Sequence, residues 1–98
     1  MTDENVTREA LTWALGMPDR NDEALLGAAH QWLLGDFDAC AEWLLLDAAT
    51  GRRLRYPPGV CARLLRIVYE DKAVREEWVA QLADPGRAAV RGALEASR

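Results

Sequence analysis

The residues best equipped for chemistry are basic. Arg52, Arg53, Arg55, Arg63 and Arg66, with Tyr56 among them, supply five positive charges, and no acid lies between positions 48 and 69. A guanidinium fork grips a phosphate or carboxylate at two points, and a phenol ring offers a stacking plane. On a helix Arg63 and Arg66 would stand one turn apart and could share a face. Together the six residues form a candidate anion or partner-binding site. The competing account is that these arginines pair with acids of the same chain, since exposed pairs form readily although each is weak.

The acids are distributed to match. Residues 1–49 carry ten acids against only Arg8 and Arg20, whereas residues 50–98 carry ten bases against six acids. Asp19, Asp22, Glu23, Asp36, Asp38 and Glu42 make up an expected acidic face. Faces of opposite sign steer encounters with a charged partner or favour head-to-tail self-association. A dedicated nucleic-acid binder usually has a basic overall field, and this chain has a pI near 4.9. An acidic face can instead imitate a nucleic acid in a basic cleft on another protein.

Catalysis has little support. The first serine is Ser97, the only histidine is His30, and there is no glycine-rich phosphate loop, HExxH or CxxC. His30 has no nucleophile or carboxylate partner fixed by spacing. The close carboxylates Asp36 and Asp38, or Glu76 and Glu77, fit solvated caps and helix surface. Cys40 and Cys61 with His30 are too few for a zinc site, so no metal and no cofactor is expected. Both cysteines fall on apolar helical stripes and read as small buried hydrophobes.

The elements that must position these groups are helical. The most apolar stretch begins at Asp36, and Phe37, Cys40, Ala41, Leu44, Leu45 and Ala48 recur at core-facing spacing, with Trp43 and Leu46 outside that stripe. This segment is expected at the centre of the fold. A helix over 7–16 precedes it, capped by Asn5 or Thr7, with Val6, Ala10, Trp13, Ala14 and Met17 on one side. A second helix opens at Asn21 and runs to about 34; Leu25, Ala28, Ala29 and Trp32 form its stripe, widened by Leu26, Leu33 and Leu34. Gly35 is its stop.

Residues 44–56 also read as a β-hairpin turning at Gly51, but alanines at 39, 41, 48 and 49 favour helix through 49. Pro57 and Pro58 open a fourth helix to about 70, Asp71 a fifth with Val74, Trp78 and Leu82 inward, and Asp84 and Pro85 a last one to about 96 with Ala89, Val90, Ala93 and Leu94 inward. Of the four tryptophans, three are expected inside and Trp43 or Trp78 partly outside.

The expected architecture is a single domain over 1–98, mainly α: a compact orthogonal bundle of five or six short helices with a short β-hairpin near 44–56 as a rival reading. No window approaches the ~18 apolar residues of a membrane span, and the polar start lacks a secretory signal, so a cytoplasmic protein is expected. The expected function is non-catalytic protein–protein contact, as a bacterial or phage regulator, adaptor or inhibitor. Anion or nucleic-acid binding through the arginines at 52–66 ranks second.

Overall fold

A computed structural model describes residues 2–96. Six helices and one small hairpin follow in order: α1 (Asp3–Leu15), α2 (Asp22–Leu33), α3 (Phe37–Ala48), β1 (Ala49–Thr50), β2 (Arg53–Leu54), α4 (Pro58–Val68), α5 (Lys72–Ala80) and α6 (Gly86–Ala96). The mainly α bundle expected from sequence is the one observed. Helix and hairpin proved to be consecutive rather than rival: α3 ends at Ala48 and the next residue starts the strand. Ala49 faces Leu54 and Thr50 faces Arg53 in an antiparallel pair, turning at Gly51, whose φ of 62° suits a residue without a side chain.

Local capping chemistry explains the boundaries. The side-chain oxygens of Asn21, Asp36 and Asp71 accept from Ala24, Ala39 and Ala73 at 3.1, 3.1 and 2.8 Å, satisfying amides that have no partner in the first turn. Gly35, at φ 76°, stops α2. The start of α1 departs from expectation. Thr2 is the cap, accepting from Asn5, and Thr7 lies fully buried inside the helix. Its hydroxyl donates to the Asp3 carbonyl at 2.8 Å, which is how a polar side chain is tolerated there.

α3 is the hub, packed against α1, α2 and α4. Cys40, Ala41, Leu44, Leu45 and Ala48 are its buried stripe, as the spacing predicts. The remaining core comes from Val6, Ala10 and Ala14 of α1, Leu25 and Ala28 of α2, Val60, Cys61, Leu64 and Leu65 of α4, and Val79, Leu82 and Val90 beyond. Many of these are small, so helices approach closely and leave no slot for an indole. Consequently no tryptophan is fully buried. Trp32, Trp43 and Trp78 are half-buried, and Trp13, expected on the inner side of α1, is the exposed one at 48%. Val74 and Ala89 are likewise exposed; Leu82 is buried as expected, joined there by Val79 in place of Val74.

One close approach fixes the α2–α3 pair. A Cβ added at Gly27 would come within 2.6 Å of the Trp43 ring. In an ordinary helix interior Gly→Ala gains about 0.5–1 kcal/mol. Here overpacking opposes it, so Gly27→Ala is expected to lower stability by ~1–3 kcal/mol. Urea titration checks the sign, with Gly92→Ala in α6, where nothing lies within 4 Å, as the variant expected to move the other way.

Candidate interaction surface

The structure disperses the arginine group. Arg55 and Tyr56 are not on the surface; both are drawn in by Asp47, whose side chain is fully buried. One carboxylate oxygen of Asp47 accepts from Arg55 Nη1 at 2.9 Å and from the Asn21 amide at 2.8 Å, and the other accepts from the Tyr56 hydroxyl at 2.7 Å. Arg55 Nη2 also donates to the Asp19 backbone carbonyl at 2.5 Å and side chain at 3.1 Å. Burial and the Asp47 bond push the Tyr56 phenol well above its usual range. Tyr56 therefore offers neither a stacking plane nor a ready proton.

Arg63 and Arg66 diverge. Arg63 pairs with Glu9 of α1 at 3.0 Å, while Arg66 reaches across to the Leu94 carbonyl of α6 at 2.5 Å. One turn of α4 separates them, but α1 and α6 claim them for opposite flanks. Arg52 and Arg53 stay exposed at the hairpin turn and make no ion pair with the described residues. The account in which arginines pair with acids of the same chain therefore describes Arg55 and Arg63, and the site expected at 52–66 does not assemble as one patch.

The expected acidic face fares differently. Asp19 is tied to Arg55, Asp22 to Arg20 at 3.0 Å, and Asp36 caps α3. Glu23, Asp38 and Glu42 are exposed and make no ion pair with described residues. They stand on α2 and α3 within a stretch, 21–51, that contains no lysine or arginine.

The same two helices expose several leucines, three of which the spacing assigned to the core. Leu26, Leu33 and Leu34 do not widen the buried stripe of α2; they are 74, 82 and 66% exposed, and Leu46 of α3 is 63% exposed. Leu26, His30 and Leu33 follow one another at i, i+4 and i+7, so they form one outward row. Leu46 lies between the Gly27–Trp43 contact and the Asn21–Asp47 bond, level with the first turns of α2. Half-buried Trp43 closes the seam beside it. At the other end Trp32 packs on Phe37 with ring centroids 5.1 Å apart, and Arg8 of α1 sits over Trp32 at 5.6 Å.

Concave surfaces occur elsewhere too: Arg52 and Arg53 line a pocket between the hairpin and the start of α6 with Leu54, Pro58 and Pro85, and two further hollows stand out. One is a groove lined by Trp13, Met17, Pro18, Pro57 and Val60, flanked by the Glu9–Arg63 pair. The other is a cleft at α5 and α6 where Arg66, Lys72, Arg75 and Arg91 surround Leu94. Glu76 there is held below the usual carboxylate range by its hydrogen bond to Arg91, and the two side chains join the helices.

The chemistry-bearing thiols are withdrawn as well. Burial, with a smaller contribution from Asp36, pushes Cys40 up to about 11, and burial alone pushes Cys61 up to about 12. No protein-family model, curated protein or solved structure matches the chain.

Two outcomes are expected from this geometry. Removing a partner from a buried ion pair typically costs ~3–5 kcal/mol, so Asp47→Ala should be severely destabilising, while Tyr56→Phe, which keeps the ion pair but leaves one buried carboxylate oxygen without its donor, should cost about 1.5–3 kcal/mol in urea unfolding. The raised thiol values carry a definite sign: protonated Cys40 and Cys61 belong to the folded state, so their contribution is complete below the ordinary value of 9.0 and is lost as pH rises towards 11–12. Urea midpoints should therefore hold from neutral pH to about 8.5 and fall above it. A thiol reagent at about pH 8 should label neither cysteine until the chain unfolds.

Proposed function

We propose that this chain is a non-catalytic protein-interaction protein whose working surface is the outward side of α2 and α3. The observation that carries this reading is the coincidence of four exposed leucines with uncompensated acids on one pair of helices. Isolated exposed leucines are ordinary, but four on the outward side of one helix pair, with acids unpaired among the described residues between them, support a contact site. Charge supplies steering and partner discrimination; apolar area supplies affinity.

The non-catalytic part of the reading rests on the fate of the reactive groups. Both thiols and the Tyr56 phenol are buried and hard to ionise, and the buried carboxylate of Asp47 is fully engaged by Arg55, Tyr56 and Asn21. The arginine reading is reduced to Arg52 and Arg53, two neighbouring cations on a turn, which is a small footprint for phosphate binding.

The test compares Leu33→Asp and Leu46→Asp with Arg52→Glu/Arg53→Glu in sedimentation and co-purification with partner proteins. The two leucine variants lie on the surface but in the last turns of their helices, so an aspartate should cost only about 1–1.5 kcal/mol and leave the fold intact. They should nonetheless abolish co-purification, while the arginine pair leaves it intact. The opposite pattern would transfer the function to the hairpin turn.

A further inference from the structure

The α2–α3 face can be matched to a partner by chemistry, given the interaction reading above on which this rests. We infer that it receives a basic amphipathic helix from another protein, laid across Leu26, Leu33, Trp43 and Leu46 with its lysines or arginines against Glu23 and Glu42. Sign selects the partner first. Positions 21–51 contain six acids and no lysine or arginine, and Glu23, Asp38 and Glu42 have no ion pair among the described residues. An anionic membrane surface or a nucleic acid would be repelled by that field.

Shape selects next. Side by side, two antiparallel helices present a shallow seam into which a third helix packs by ridges and grooves. Leu26 and Leu33 are seven residues apart, about 10.5 Å along the axis, the spacing at which a partner helix repeats its own apolar positions. A strand is a poorer fit, because the only strands in the described residues are two residues long and present no extended edge beside this face.

A second copy of this chain is also disfavoured. A two-fold contact through this face would set Glu23, Asp38 and Glu42 against copies of themselves. Among the described residues the basic helices are poor candidates for a head-to-tail contact: Arg63 of α4 is engaged by Glu9, and Arg87 and Arg91 of α6 by Asp84 and Glu76. Arg75 of α5 is engaged by the Tyr69 and Glu70 carbonyls, while Arg52 and Arg53 stand on the hairpin and not on a helix. A different protein, with a whole basic helix to offer, is therefore the better match than a second copy.

The experiment titrates the isotope-labelled full chain with three synthetic 18-residue peptides: leucines at helical spacing with lysines elsewhere, the same peptide with glutamates for lysines, and a scrambled leucine–lysine sequence. The expected result is saturable one-to-one binding of the first, with amide and Trp43 indole shifts confined to α2 and α3, and at least tenfold weaker binding of the other two. Leu33→Asp should weaken it at least tenfold, and Glu23→Lys/Glu42→Lys should invert the preference between lysine and glutamate peptides.

Equal binding of the scrambled peptide, shifts centred elsewhere, or equal binding of the glutamate peptide would each overturn the inference. So would a dimer in sedimentation that Leu33→Asp dissolves. If none of the peptides binds but Leu33→Asp still abolishes co-purification, the helix inference fails and the interaction face stands. If Leu33→Asp and Leu46→Asp change neither readout, both fail together.

Discussion

The buried carboxylate of Asp47 ties together three parts of the chain at one point: the start of α2, the end of α3 and the segment after the hairpin. It sits in the last turn of α3, accepts from the amide of Asn21 just ahead of α2, and holds Arg55 and Tyr56 immediately beyond the hairpin. A charge in a protein interior is tolerable only when its lone pairs are met, and here three donors meet them. The constraint acts on direction as much as on energy. With Asn21 fixed to the end of α3, α2 must run back alongside α3. With Arg55 and Tyr56 fixed there too, the chain after the hairpin is delivered to the start of α4.

From that pairing follows the division of surfaces. The inner sides of α2 and α3 are consumed by α1, α4 and each other, and the Gly27–Trp43 contact sets how closely the two helices lie. What remains outward is a row of leucines and acids with no cation of its own. The arginines of the second half are meanwhile drawn inward or sideways, by Asp47, Asp19, Glu9 and the Leu94 carbonyl. The charge asymmetry of the sequence thus survives folding on the acidic side and is largely absorbed on the basic side.

Most of the architecture was legible in the residues. Helix starts at Asn21, Asp36 and Asp71, the stop at Gly35, the hairpin turn at Gly51 and the stripe of α3 are local signals, legible without knowledge of distant partners. What failed depended on partners distant in sequence. Asp47 looks like any acid of an amphipathic helix until Arg55, Tyr56 and Asn21 are brought to it. Leu26, Leu33 and Leu34 look like core because α2 is apolar on nearly all sides, and periodicity alone does not say which side another helix covers. The wheel holds only a partial clue: Leu26 and Leu33 lie about a third of a turn round the helix from the centre of Leu25, Ala28 and Trp32, too far for one neighbouring helix to cover both sets fully. The tryptophans were misplaced for a related reason, since their size predicts burial only where the surrounding core is wide enough.

The unequal embedding of the helices has a dynamic counterpart. α3 leans on three other helices, whereas α5 leans chiefly on α6, contributes Val79 as its one fully buried side chain, and is joined to α6 by the Glu76–Arg91 pair. Opening of a segment is governed by how much apolar contact must be given up. Amide protons of α5 should accordingly escape to solvent through partial opening of the C-terminal third, while those of α3 wait for the whole molecule to come apart.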